Sequence, residues 1–130
     1  MTRLLLDTTV LIDALRGRAA ADRVRSLRRE GTVPYVSAIN IEEVVRGLFP
    51  TEEGDANRLF HGLRIAPLGH REGERAGRWR REFAAGGITL SQADCLIAAA
   101  AMGVEGRLAT GNPDHFPMPQ LRVEHWPVGG

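Results

Sequence analysis

Short apolar runs alternate along this chain with longer segments whose apolar residues recur at helical spacing. The first run, Arg3–Leu6, ends at Asp7 and is typical of a buried parallel strand. Further strands are predicted at Val33–Val36, Leu63–Ala66, Gly106–Thr110 and Leu121–Trp126. Helices are predicted at Thr9–Arg16, Ala19–Glu30, Ala38–Phe49, Thr51–Gly62, His70–Ala85 and Ser91–Met102.

This alternation of strands and helices predicts an α/β fold. We expect a single three-layer α/β/α domain over residues 1–130, with a central, mainly parallel sheet and right-handed crossovers. A chain of 130 residues with 43% hydrophobic side chains has enough apolar material for a core of its own. Ligands of such sheets bind at the carboxyl ends of the strands, so polar residues at those ends are candidates for a site.

Composition excludes several kinds of function. All 17 residues counted as lysine or arginine are arginine, which excludes a Walker A loop and a Schiff-base enzyme. The single cysteine, Cys95, excludes an internal disulfide and a cysteine-rich zinc site. No apolar run approaches the roughly 20 residues that span a bilayer. We therefore expect a cytoplasmic protein without membrane contact. The net charge of +1 does not by itself indicate a nucleic-acid partner.

Four acidic residues stand at or just beyond predicted element boundaries. Asp7 ends the first strand, Glu43 and Asp94 lie near the starts of two helices, and Asp114 follows the strand Gly106–Thr110. If these carboxylates converge at one edge of the sheet, they repel one another and raise one another's pKa values. Mg²⁺ or Mn²⁺ relieves that repulsion, because both ions prefer oxygen ligands and can bridge carboxylates to a phosphate.

Each of these acids also has a structural explanation. Asp7 can cap the first helix, and Asp114 is a natural turn residue. Glu43 can be the capping-box partner of Asn40, and Asp94 can play the same part toward the serine three positions before it. The chemical interpretation therefore depends on whether the acids meet in space.

Four segments, in order along the chain, share the motifs of one family. They are DTTVLIDALRG, which begins at Asp7; SAINIEEVVRG, with Ser37, Glu43 and Gly47; LSQADCLIAAAA, with Asp94; and LATGNPDHF, with Thr110, Asn112, His115 and Phe116. The closing LRVEHW also matches the family's last strand. Together the segments span nearly the whole chain and resemble the PIN-domain ribonucleases, particularly the VapC toxins of toxin–antitoxin pairs.

The resemblance implies a PIN-like fold and a function. By it, Asp7, Glu43 and Asp94 hold Mg²⁺ or Mn²⁺, and an activated water hydrolyses RNA phosphodiester bonds. The fourth position departs from the family, because many relatives carry an acid where this chain has Asn112. Asp114 is the nearest acid, so both residues remain candidates, and Asp114 is included among the predicted catalytic residues.

The resemblance also implies partners. They are an RNA substrate, a cognate VapB-like antitoxin and a second copy of the chain. The segment Ile39–Phe49 is apolar over more than one helical face, which favours a core on one side and a partner on the other. Two alternatives stay open: a stand-alone or DNA-directed PIN-type nuclease, and a catalytically silent RNA-binding PIN domain.

Other polar residues are predicted to be structural or exposed. The four histidines, His115 among them, are interpreted as surface or loop residues, since they lack the spacing of a metal motif. Cys95 is interpreted as a buried structural thiol. Asp13 is interpreted as a surface acid or as a residue behind a ligand. By the resemblance, Thr9 and Thr110 stand where the family often has hydroxyls near the metal; both can equally be caps or strand-end hydroxyls, and for Thr110 that structural interpretation is preferred.

Overall fold

The computed structural model of the protein describes residues 1–129, which contain five β-strands and six α-helices. The strands are β1 (Thr2–Leu6), β2 (Thr32–Val36), β3 (Arg64–Ile65), β4 (Arg107–Thr110) and β5 (Val123–His125). The helices are α1 (Thr8–Leu15), α2 (Ala19–Ser26), α3 (Ala38–Arg46), α4 (Glu53–His61), α5 (His70–Ala85) and α6 (Gln92–Gly103). No helix within residues 1–129 is both long and apolar enough to cross a membrane.

All strand pairs are parallel, and the strand order is β3-β2-β1-β4-β5. The most apolar strand, β1, is therefore central, and its Leu5 pairs with Tyr35 on one side and Leu108 on the other. Because β1 is covered on both faces, its Leu4, Leu5 and Leu6 are buried as a continuous run rather than in alternation. The predicted α/β fold with a mainly parallel sheet is confirmed.

Two apolar clusters, one on each face of the sheet, make the three layers. Leu5 and Leu108 pack with the buried residues of α5 and α6, including Trp79 and Ile97. On the other face, Leu4 and Leu6 pack with residues of α1, α2, α3 and α4. The helix α3 lies between the clusters, because Val44 belongs to the second cluster while Ile39 packs against the first.

Two helices end earlier than the pattern predicts. The segment predicted as Ala19–Glu30 leaves the α-helix at Ser26 and continues as a 3₁₀ turn, which Gly31 closes at a φ of +78°. That left-handed conformation favours glycine and turns the chain into β2. The helix predicted to reach Phe49 ends at Arg46, just before Gly47.

Asp13 has a role that its sequence position did not indicate. Its carboxylate is buried and accepts the backbone N–H groups of Ala20 at 2.8 Å and Gly129 at 2.8 Å. The interpretation as a surface acid is wrong: this carboxylate ties α1 to the start of α2 and to the C-terminal segment. Buried carboxylates persist where such hydrogen bonds replace the lost water.

Candidate active site

Three of the predicted site residues lie at the carboxyl ends of the central strands. Asp7 follows β1 directly, Glu43 lies in α3 after β2, and Asp94 lies in the first turn of α6, the helix that precedes β4. The fold places them together because β1 is flanked by β2 and β4, and parallel strands end at the same edge of the sheet. The acids are thus separated along the chain but close in space.

Hydroxyl groups orient the Asp7 carboxylate. The buried Thr110 at the end of β4 donates to Asp7 Oδ2 at 2.7 Å, and Thr9 donates to the same oxygen at 3.5 Å. The Thr9 hydroxyl in turn accepts a hydrogen bond of 3.0 Å from the backbone N–H of Gly111. Position 111 requires glycine, because a Cβ there would lie 2.8 Å from the side chain of Val128. Asp7 occupies the N-cap position of α1, yet its side chain makes no capping hydrogen bond. Asp7 therefore stands at the predicted N-cap position, but no capping hydrogen bond accounts for its carboxylate.

The electrostatics of Asp7 show that the acids interact. Burial raises the pKa of Asp7 above its ordinary value of 3.8, and the negative charges of Asp94 and Glu43 raise it further. The hydrogen bonds from the Thr110 hydroxyl and from the Thr8 backbone lower the pKa of Asp7 but do not cancel the effect of burial. Asp7 is thus a carboxylate held in an environment that disfavours its charge, the condition that a cation relieves.

Glu43 has a different structural partner from the one that the sequence pattern indicates. The capping box of α3 is formed by Ser37 and Asn40, not by Asn40 and Glu43. The Glu43 carboxylate instead accepts a hydrogen bond of 2.6 Å from the Thr8 hydroxyl at the start of α1. The capping role considered for Glu43 is wrong, and its carboxylate is oriented toward the Asp7 side of the site.

Asp94 combines a conventional helix start with an unexpected neighbour. Ser91 caps α6 by accepting the backbone N–H of Asp94 at 3.0 Å, which leaves the carboxylate free of capping bonds. His115 Nδ1 lies 3.7 Å from Asp94 Oδ2, and the imidazole is 59% exposed. Sequence reasoning placed His115 on the surface and missed this contact. The sequence feature that could have indicated this contact is the position of His115 within the motif Thr110–Phe116.

The two candidates for the fourth position lie in the loop after β4. Asn112 donates its backbone N–H to the Thr110 hydroxyl at 3.0 Å, so its main chain supports the residue that holds Asp7. Asp114 lies in the 3₁₀ turn Pro113–His115 and is exposed. Both residues are exposed, and the hydrogen bond that links this loop to the site comes from the Asn112 backbone. Both remain candidates, and only the backbone of Asn112 contacts the site.

The thiol of Cys95 is buried, as the sequence predicted, and it takes no part in the site. Cys95 follows Asp94 but is fully buried, and burial raises the pKa of its thiol. A neutral buried thiol is neither a nucleophile nor a metal ligand. The site described here therefore offers oxygen atoms, from carboxylates and hydroxyls. Within residues 1–129, no three His, Cys, Asp or Glu side chains are already grouped as a metal-binding cluster.

The chain is thus a parallel α/β/α domain with acidic residues at the carboxyl ends of its central strands. The family model described as PIN domain matches residues 4–118, and the chain belongs to the PIN-domain family. The match extends from β1 to the loop after β4, so it includes Asp7, Glu43, Asp94 and Asp114.

Relatives of known description agree with this assignment. The chain is 34% identical over 116 residues to Ribonuclease VapC10 of Mycobacterium tuberculosis, covering 88% of this chain and 86% of that protein. It is 30% identical over 115 residues to Ribonuclease VapC19 of the same organism, covering 88% of this chain and 92% of that protein. Among solved structures, VapBC2 from Rickettsia felis bound to a promoter DNA fragment matches with a TM-score of 0.84. That match has 20% identity and covers 96% of this chain and 99% of the other, and it supports the fold.

Proposed function

We propose that this protein is a VapC-like toxin, an endoribonuclease that hydrolyses RNA phosphodiester bonds and works as one PIN domain in the cytoplasm. The observation that carries the proposal is the arrangement at the strand ends, where Thr110 donates to Asp7 and Thr8 donates to Glu43, with Asp94 in the first turn of α6. The negative charges of Asp94 and Glu43 also contribute to the raised pKa of Asp7, which supports a shared acidic site. The 34% identity to Ribonuclease VapC10 supports RNA as the substrate.

Mg²⁺ or Mn²⁺ fits the chemistry of these residues. The donors are carboxylate and hydroxyl oxygens, which hard divalent cations prefer, and Asp7 carries a charge that its surroundings disfavour. Such ions keep several waters and often bind through one or two carboxylates plus a phosphate, so three preformed contacts are not required. We propose Asp7, Glu43 and Asp94 as the residues that hold the ion. When bound, a divalent cation activates water and stabilises the leaving oxygen of a phosphodiester.

The protein's own side chains prepare this site before any substrate arrives. Thr110 and Thr9 orient Asp7, and Thr8 orients Glu43, so two carboxylates are held by short side chains from packed elements. Such support limits the reorganisation that phosphate binding requires. The alternatives are a stand-alone or DNA-directed PIN-type nuclease and a silent RNA-binding domain. The presence of all three acids favours a catalytic domain over the silent one.

The proposed function is tested with purified protein on single-stranded RNA and, in parallel, on single-stranded and branched DNA. We expect RNA cleavage in Mg²⁺ or Mn²⁺, no cleavage in EDTA, and no comparable DNA cleavage. Expression alone should arrest bacterial growth, and co-expression of an antitoxin encoded immediately upstream should restore it. Cleavage confined to DNA would replace the substrate assignment, and harmless expression of an active ribonuclease would leave a stand-alone enzyme.

We also propose that the chain forms a homodimer and binds a VapB-like antitoxin. The solved VapBC complexes of the same fold support an antitoxin partner. The surface of α3 supports the dimer. Val44 is buried in the core, whereas Val45 is 47% exposed and Phe49, just beyond the helix, is 62% exposed. Two large apolar side chains exposed this close together mark a surface that another protein chain can cover.

Phe49→Asp is expected to weaken the homodimer by more than about tenfold, because it places a charge in an apolar contact. Sedimentation velocity over a micromolar concentration series measures the effect. Ile88→Asp is the matched control, since Ile88 is also exposed (49%) but lies beyond α5. An equal loss of dimer in both variants, or in neither, would remove this surface from the proposal.

A further inference from the structure

A partly buried chain of hydrogen bonds leads from the start of α3 to the carboxylate of Glu43. The Ser37 hydroxyl donates to Asn40 Oδ1 at 2.6 Å, and Asn40 Nδ2 donates to the Thr8 hydroxyl oxygen at 3.1 Å. Thr8 then donates to Glu43 Oε1 at 2.6 Å. Ser37 and Asn40 are fully buried, and Thr8 is half-buried at the first position of α1. The chain thus connects α3 to α1 across the edge of the sheet.

In this series of hydrogen bonds, the donor and the acceptor at each step are fixed. Asn40 Oδ1 receives both the backbone N–H and the hydroxyl of Ser37, so the amide oxygen must face Ser37. The NH₂ group therefore faces Thr8, and it can only donate. Because the Thr8 oxygen accepts from Asn40, its single hydrogen is available for Glu43. The buried amide thereby directs the Thr8 O–H at the carboxylate.

We propose that Thr8 and Asn40 are positioning residues that hold Glu43 in the orientation its role requires. This inference rests on the proposed function, in which Glu43 helps to hold a divalent cation. An unrestrained glutamate side chain has several rotamers, and fixing it on arrival of a cation costs conformational entropy. Thr8 fixes one carboxylate oxygen in advance and leaves Oε2 unengaged within residues 1–129. Partners that orient a metal ligand typically contribute 10–100-fold to affinity or activity.

The test compares Thr8→Val, which removes the hydroxyl at nearly constant volume, with Thr8→Ser, which retains it. Thr32→Val is the matched control, because Thr32 is a buried threonine on β2 and is not part of the site. Mn²⁺ affinity without RNA is measured by electron paramagnetic resonance. The kcat and KM for RNA cleavage are measured separately.

We expect Thr8→Val to weaken Mn²⁺ binding and to lower kcat by about 10-fold or more each, with KM for RNA changed by less than about twofold. Thr8→Ser should keep both Mn²⁺ affinity and kcat within about threefold of the unmodified protein. Thr32→Val should have the same Mn²⁺ affinity and kcat as the unmodified protein. Melting by circular dichroism identifies any variant that is not folded. Thr8→Ala replaces Thr8→Val if the latter does not fold.

Separate outcomes distinguish this inference from the proposed function. An unmodified protein that binds Mn²⁺ but cleaves no RNA contradicts the function, while the Mn²⁺ series still tests the positioning role. An active protein in which a folded Thr8→Val or Thr8→Ala binds Mn²⁺ and turns over normally contradicts the positioning role. The same conclusion follows if Thr8→Ser is as impaired as Thr8→Val.

Discussion

Asp94→Asn is expected to lower RNA cleavage by more than about 100-fold, because loss of a ligand should exceed the 10–100-fold effect typical of the groups that orient one. The fold should be preserved. The carboxylate is 26% exposed and makes no capping bond, since Ser91 caps α6 through the Asp94 backbone. Single-turnover cleavage of RNA in Mg²⁺, together with a thermal melt, measures both properties.

Asp114→Asn is the matched control for Asp94→Asn. It makes the same chemical change in an exposed 3₁₀ turn close to the site. We expect a smaller loss of activity, because the Asp114 side chain is exposed and lies outside the hydrogen bonds that orient Asp7 and Glu43. If Asp114→Asn lost as much activity as Asp94→Asn with an unchanged melt, Asp114 would join the residues that hold the cation. If Asp94→Asn retained full turnover, the assignment of Asp94 would be wrong.

Asp7→Asn is expected to raise the thermal stability of the metal-free protein at pH 7 while it abolishes cleavage. The pKa of Asp7 is raised in the folded state, above its ordinary value of 3.8. The stability linked to this group is therefore fully present below about pH 3.8 and is lost as pH rises through the folded pKa. At pH 7 the unfolded protein carries the Asp7 charge in water, whereas burial disfavours that charge in the folded protein, and asparagine removes this cost. The amide oxygen can still accept the hydrogen bond from Thr110.

Melts in EDTA between pH 4 and pH 8 measure this effect. We expect Asp7→Asn to melt a few degrees above the unmodified protein at pH 7, with the difference shrinking as the pH falls toward 4. Saturating Mg²⁺ should raise the melting temperature of the unmodified protein and have little effect on Asp7→Asn, because only ligands that bind the folded state stabilise it. An equal or lower melting temperature for metal-free Asp7→Asn at pH 7 would contradict the argument from burial.

The chain's own pattern determines the fold class and where the three proposed site acids lie in it. Strand β1 is a continuous apolar run, which is stable only when both faces of a sheet are covered, and its polar successor Asp7 must then lie at the sheet edge. The same reasoning locates Glu43 and Asp94 near the starts of helices that adjoin strands. Local periodicity suffices here, because burial patterns repeat with the geometry of each element.

The partners of these acids were decided by the tertiary structure alone. Thr110 reaches Asp7 across 103 positions of sequence, and Thr8 reaches Glu43 across 35, only because β4 and β2 flank β1. Sequence reasoning therefore treated Thr110 as a strand-end hydroxyl and did not single out Thr8. Local motifs misassigned caps for the same reason. A capping box is a pattern of residue types three positions apart, whereas which hydrogen bonds form depends on the neighbours that packing brings within about 3 Å.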